Sequence, residues 1–170
     1  MDLKRFIRDI PDFPKKGIIF KDITPLLKSP EAFRYTVDEF AKRYQKKGIT
    51  QVVAIESRGF IFGAALAYKL GAGIVPVRKI GKLPAKTRRE SYELEYGTDS
   101  VEIHEDALGA GDRIVVLDDV IATGGTLAAA CRLAQSLGAE IVEAATVIEL
   151  TFLDGRPKLG NLPFFSLVQY

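Results

Sequence analysis

Four runs of apolar, mostly β-branched residues mark buried strands in this chain: Gln51–Ile55, Ile74–Val77, Ile114–Leu117 and Ile141–Ile148. Helical spacing fills the intervals. Ser29 caps a segment with Pro30 at its first position that runs to about Lys47, before Gly48, and Phe33, Val37, Phe40, Ala41 and Tyr44 recur along one face. Gly59–Leu70 is stopped by Gly71, and a third helix over 125–137 is stopped by Gly138. Tyr92, Leu94 and Tyr96 alternate with Glu93 and Glu95, then Val101 and Ile103 alternate with Glu102 and His104. The intervening Gly97-Thr98-Asp99-Ser100 makes this an antiparallel hairpin. Residues 3–9 read as a short amphipathic helix and residues 11–28 as irregular chain broken by Pro11, Pro14, Gly17 and Pro25. Buried strands alternating with helices predict an α/β fold with a parallel sheet and an added hairpin.

Composition narrows this little. The 170 residues are 47% hydrophobic and 27% charged, an ordinary globular balance, and form one expected domain. A net charge of +2 gives no reason to expect nucleic acid or a membrane surface as partner. One cysteine, Cys131, allows no internal disulfide and no multi-cysteine zinc site, and reads as core packing. The apolar runs are too short for a membrane span, and Met1–Arg5 lacks a signal peptide's apolar core, so a cytoplasmic location is expected.

Chemistry concentrates after the third strand. Asp118 and Asp119 follow Leu117, and Ala122-Thr123-Gly124-Gly125-Thr126 opens onto an Ala-rich helix. No bulky side chain blocks the successive N–H groups of that turn, Gly124 and Gly125 tolerate positive φ, and the helix N-terminus favours an anion. The two acids suit vicinal hydroxyls. Acids, N–H groups and a helix dipole around one volume point to a ligand carrying both hydroxyls and a phosphate. An ordinary strand–helix turn with solvated acids is the competing reading.

Two further segments carry cations. Glu56-Ser57-Arg58-Gly59-Phe60 leaves the first strand, with Arg58 able to meet a pyrophosphate and Gly59 permitting close approach; a plain helix start with a surface arginine has the same sequence. Arg78-Lys79-Ile80-Gly81-Lys82-Leu83-Pro84, continuing through Lys86, Arg88 and Arg89, shows no periodicity. It reads as a mobile basic loop, either merely solvated or a lid that excludes water.

Val115–Thr126 resembles the phosphoribosyl-pyrophosphate signature of the type I phosphoribosyltransferase family, and neither a Walker motif nor G-x-G-x-x-G occurs. Pro11–Ile23, Glu56–Phe60, Gly81–Pro84, Ser91–Gly97 and Pro163–Leu167 resemble the adenine-using branch of that family, in order and over nearly the full chain. The resemblance implies a central, mainly parallel sheet flanked by helices, with a flexible hairpin loop. It also implies a small hood over about residues 1–28 and a core over about 29–170. Asp118 and Asp119 are then expected to hold ribose hydroxyls, and Ala122, Thr123, Gly124, Gly125 and Thr126 the 5′-phosphate. Ser57, Arg58, Lys79 and Lys82 would take pyrophosphate, and the Glu56–Phe60 segment often carries a non-proline cis peptide in the family.

For the base, the expected residues are Ile19, Phe20, Lys21 and Val120, with Phe20 as ordinary core the alternative and Lys21 standing where many relatives carry arginine. Glu95 is the implied general base at adenine N9, although its alternation alone reads as a solvent-facing strand acid. The implied partners are adenine, phosphoribosyl pyrophosphate, AMP, pyrophosphate and a second copy in a homodimer. Mg²⁺ would be held mainly by pyrophosphate, ribose hydroxyls and water, with no direct protein ligand. Another purine base, or a regulator that binds the ligand without catalysis, are the alternatives.

Overall fold

The computed structural model describes residues 1–94 and 96–170. Its elements are β1 Arg8–Pro11, β2 Ile19–Asp22, α1 Thr24–Lys28, α2 Pro30–Tyr44, β3 Gln51–Ile55, α3 Arg58–Leu70, β4 Gly73–Lys79, β5 Thr87–Glu93, β6 Thr98–His104, β7 Arg113–Ile121, α4 Gly125–Ser136, β8 Glu140–Glu149 and β9 Phe164–Gln169. They form two units, Met1–Phe40 and Ala41–Tyr170.

In the second unit the apolar runs assemble into a seven-stranded sheet of order β5-β6-β4-β3-β7-β8-β9. β4, β3, β7, β8 and β9 are parallel, and the β5–β6 hairpin adds antiparallel to β4. The chain goes from β3 outward to β4 through α3, and from β7 outward to β8 through α4. These two crossovers travel in opposite directions along the sheet, so right-handed connection sets the helices on opposite faces. It also leaves a switch point between β3 and β7, where crevices open at the carboxyl ends of strands. Both central strands are buried along almost their whole length, as residues covered on two faces must be.

Close helix–sheet contact is built from small residues. A Cβ at Gly63 would stand 2.6 Å from the Ala54 Cβ, and one at Gly59 would stand 3.0 Å from both the Asp118 Oδ1 and the Leu117 carbonyl oxygen. Glycine at these two positions lets the first turns of α3 lie directly on β3 and β7. On α4, Leu127, Ala128, Cys131, Leu133 and Ala134 are buried in the core with Val53, Val75 and Val116.

Two buried carboxylates in the outer half of the sheet are fully partnered. Glu143 accepts from the Arg43 guanidinium at 2.5 and 2.7 Å and from the Tyr44 hydroxyl at 2.7 Å. Glu149 accepts from Arg156 at 2.5 and 2.7 Å and from Ser166 at 2.7 Å. Burial pushes the Glu143 carboxyl up, but Arg43 and Tyr44 outweigh it and hold it below the usual range; for Glu149 the Arg156 bond is the leading cause of the same downward shift.

The first unit differs from the irregular chain expected over 11–28. After a 3₁₀ turn at Leu3–Phe6, β1 and β2 pair antiparallel, with Asp9 opposite Lys21 and Ile10 opposite Phe20. Lys21 Nζ donates to the Asp9 carboxylate at 2.7 Å, and the Phe13 and Phe20 rings meet edge to face at 5.2 Å. Ser29 caps α2 as expected, its Oγ accepting from the Ala32 N–H at 3.2 Å.

The basic stretch also differs from a single aperiodic loop. Arg78 and Lys79 finish β4 and Thr87–Arg89 begin β5. The connection between them is tied to β6: the Gly81 N–H donates to Glu102 at 3.0 Å and the Ala85 N–H to His104 Nε2 at 3.2 Å. Among the described residues, no helix is long and apolar enough to cross a membrane.

Candidate active site

β7 does not stop before the acids. It pairs with β8 through Asp118, Val120 and Ile121, so both carboxylates project from a strand still held in the sheet. The turn after it then bends sharply: Gly124, the N-cap of α4, has φ +84°, and a Cβ there would strike the backbone of Gly155, which folds back against the turn. Glycine is required on both counts. The first residues of α4, whose N–H groups have no acceptor within the helix, therefore line the volume beside the acid pair.

That volume is a cavity of about 310 Å³, lined by Glu56, Ser57, Arg58, Lys79, Asp118, Asp119, Val120 and the run from Ile121 to Leu127. It lies at the carboxyl ends of β3, β4 and β7, at the switch point. Three separate stretches of sequence thus supply one site: the β3–α3 turn, the last residue of β4, and the end of β7 with the start of α4. The Glu56–Ser57 peptide bond in the first of these is cis.

The acids and cations of the cavity hold each other. Arg58 Nε donates to Asp119 Oδ2 at 2.5 Å. Asp118 Oδ1 accepts the Asp119 N–H at 2.8 Å, and burial, reinforced by the neighbouring Asp119 charge, pushes the Asp118 carboxyl well above the usual carboxylate range. Lys79 Nζ bonds Tyr92 Oη at 2.8 Å and pairs with Asp99. Glu56 accepts the Lys79 N–H at 2.5 Å and Lys82 Nζ at 2.7 Å, with Arg78 Nε 3.5 Å away. Burial raises the Glu56 carboxyl, yet Lys82, the Lys79 N–H and Arg78 together bring it below the ordinary value.

Of the residues expected at a site, the cavity brings together Ser57, Arg58, Lys79, Asp118, Asp119, Val120, Ala122, Thr123, Gly124, Gly125 and Thr126. Lys82 is not in the lining, but its ammonium is bonded to Glu56, which is. Ile19, Phe20 and Lys21 lie on β2 of the first unit and are not lining residues, and Glu95 falls outside the described residues. Glu56, the anchor for the two lysines, went unassigned in the sequence although it stood inside a motif. Gly155 was also missed; the Asp154-Gly155 pair is a turn signal that marks its position. His104 is half-buried on β6, engaged by the Ala85 N–H, and Cys131 is a free buried thiol on α4.

A cavity that sets paired acids and cations beside a glycine turn at a helix N-terminus has the groups to receive a ligand carrying both hydroxyls and phosphates. Residues 26–158 match the phosphoribosyl transferase domain, and the chain belongs to that family. Within it the likeness is closer still. The chain is 58% identical to the adenine phosphoribosyltransferase of Acaryochloris marina (strain MBIC 11017) over 170 residues, covering 100% of both chains. The crystal structure of adenine phosphoribosyltransferase from Thermoanaerobacter pseudethanolicus ATCC 33223 superposes with a TM-score of 0.96 at 54% identity, over 99% of this chain and 98% of that one. The Saccharomyces cerevisiae enzyme, complexed with D-2,5-dideoxy-2,5-imino-altritol 1,6-bisphosphate and adenine, gives a TM-score of 0.92 at 44% identity, over 98% and 96%.

Proposed function

We propose that this chain transfers the 5-phosphoribosyl group from phosphoribosyl pyrophosphate to adenine, giving AMP and pyrophosphate in purine salvage. The observation that carries the reading is the convergence, at one switch-point cavity, of the Asp118–Asp119 pair, the α4 N-terminal turn and the cations Arg58 and Lys79. Full-length identity to an adenine phosphoribosyltransferase and the adenine-bound yeast relative support the choice of base.

In this reading the N–H groups and hydroxyls from Ala122 to Thr126 receive the 5′-phosphate, as helix N-termini receive anions. Asp118 and Asp119 accept the ribose hydroxyls. Arg58, Ser57, Lys79 and Lys82 receive the pyrophosphate. Arg58 and Asp119 are bonded to each other in the structure, so the ligand exchanges one ion pair for two contacts: pyrophosphate takes the guanidinium and a hydroxyl takes the carboxylate. A ligand with only one of these groups breaks the pair without replacing both halves. Whole phosphoribosyl pyrophosphate is favoured over its fragments.

The C1′–O bond breaks with its electron pair leaving on pyrophosphate, and N9 of adenine supplies the pair for the new C1′–N9 bond. Charge builds on the sugar and on the leaving oxygen, where fixed cations and excluded water lower the barrier. Glu95 removes the N9 proton. Ile19, Phe20, Lys21 and Val120 bind the base, Phe20 by ring contact and Ile19 and Lys21 by main-chain groups. Mg²⁺ bound with the pyrophosphate would neutralise its charge. It would be held mainly by ligand and water oxygens, with Asp118 and Asp119 reached through ribose hydroxyls or water. The same reading makes the enzyme a cytoplasmic homodimer, and exposed Ile61 and Tyr68 give α3 an apolar surface.

The test is to incubate the protein with Mg²⁺, phosphoribosyl pyrophosphate and adenine and follow both products. AMP and pyrophosphate in equal amounts support the transferase. Saturable ligand binding with no product from any purine base would identify a regulator instead.

A further inference from the structure

Lys79 differs from the other cations of the cavity in what holds it. Arg58 and Lys82 are bonded to Asp119 and Glu56, both lining residues. The partners that hold the Lys79 ammonium, Tyr92 and Asp99, both lie on the hairpin and outside the cavity lining. They stand directly opposite each other in the β5–β6 register, and β6 is itself fixed to β4 by the pairing of Lys79 with Val101. Tyr92 Oη donates to Asp99 Oδ2 at 3.1 Å, which closes a three-membered ring of ammonium, phenol and carboxylate. The Tyr92 ring is buried and lies against the phosphate turn: a Cβ at Gly125 would come within 2.8 Å of its Cδ2.

An ammonium has three donors. Tyr92 and Asp99 engage two of them from the hairpin side, and the side chain is still 40% exposed. Among the described residues the third donor has no partner, and Lys79 lines the cavity, so an anion there can be added without either partner letting go. Arg58 is held by an acid of the cavity itself, Asp119, whereas Lys79 is held from outside the lining.

We propose that Tyr92 and Asp99 are positioning residues for the transfer reaction: together they fix the Lys79 ammonium, charged and aimed, where the pyrophosphate leaves. The inference rests on the reading of the cavity as a phosphoribosyl-pyrophosphate site. The charge is well supported by its surroundings. Burial alone lowers the affinity of the Lys79 amine for its proton, but the bonds to Asp99 and Tyr92 reverse this and raise it above the ordinary value.

The test compares Tyr92→Phe and Asp99→Asn with the wild type, using AMP, inorganic pyrophosphate and phosphoribosyl pyrophosphate as probes. Tyr92→Phe keeps the ring against Gly125 and removes only the hydroxyl; Asp99→Asn keeps the shape and removes the charge. Each variant should weaken pyrophosphate binding and raise KM for phosphoribosyl pyrophosphate about tenfold, the scale of one charge-assisted hydrogen bond. The Kd for AMP, held at the other end of the site, should stay within about twofold, as should KM for adenine. Unchanged pyrophosphate binding in both variants overturns the proposal. Equal losses for AMP and pyrophosphate overturn it too, because they show a merely structural role. A wild type that binds none of the three probes refutes the cavity reading itself, a result distinguishable from a failure of the variants alone.

Discussion

Replacing Asp118 and Asp119 one at a time by asparagine should move thermal stability in opposite directions. Both carboxyls are buried, at 9% and 5% exposure, and among the described residues one guanidinium, that of Arg58, serves them through Asp119. Asp118 therefore adds an uncompensated charge beside another carboxylate, and burial and the Asp119 charge raise its pKa. Asp118→Asn removes that charge and keeps an oxygen for the Asp119 N–H. A gain of about 1 kcal/mol, or ~2–4 °C in Tm for a chain of this length, follows. Asp119→Asn removes the carboxylate charge that Arg58 meets and costs a comparable amount or more. The pH dependence has a definite sign. An acid whose folded pKa is raised binds more protons folded than unfolded, so wild-type stability falls as pH rises from about 4 through the folded pKa. The Asp118→Asn advantage should be full above that range and vanish near pH 4 and below. Both variants should lose about 10–100-fold in affinity for phosphoribosyl pyrophosphate, from ~1.5–3 kcal/mol per bond to a charged acceptor. Differential scanning calorimetry across pH and a ligand titration measure both effects. A lower Tm for Asp118→Asn at neutral pH would refute the charge assignment.

Gly124→Ala forces a side chain into a left-handed conformation and against the Gly155 backbone; it should cost roughly 2–4 kcal/mol of stability and weaken AMP binding at least tenfold, read by thermal melt and titration. Arg43→Met leaves the buried Glu143 carboxylate with the Tyr44 hydroxyl and no guanidinium, and should destabilise by roughly 2–3 kcal/mol, below the full cost for a wholly buried pair because Arg43 is itself partly exposed. Glu143 and Glu149 have lowered pKa values, so the stability they contribute is present above about pH 4.5 and is lost as pH falls through their folded pKa; an acid titration of Tm checks it. Glu95→Gln should lower kcat more than it raises either KM, and an unaltered rate would remove Glu95 from the chemistry.

The sheet was legible because its central strands are covered on both faces and so read as unbroken apolar runs. Gln51–Ile55 is observed with the expected bounds, and α3 begins one residue before the expected Gly59. Asp118 and Asp119 hid the true length of β7: their backbone stays in the ladder with β8 while their side chains serve the site, and no polarity pattern separates those two roles. β1 and β2 were illegible for another reason. Four residues each of mixed polarity are too short for an alternation to stand out, and their pairing is a contact between segments. The basic stretch misled through composition: its lysines and arginines belong partly to strand ends, where Glu56, Asp99 and Glu102 receive them. Those acids lie 13 to 26 positions from their partners and come together only through the sheet order β5-β6-β4-β3.

The most direct measurement is a one-pot competition in which adenine, hypoxanthine and guanine at equal concentration share limiting phosphoribosyl pyrophosphate and Mg²⁺. An adenine transferase converts the pyrophosphate donor almost wholly to AMP, with at least ~100-fold less of the other two nucleotides, since a site that hydrogen-bonds one ring edge leaves its groups unpaired on another. Comparable amounts of two nucleotides, or a product dominated by hypoxanthine or guanine, would contradict the assignment of the base.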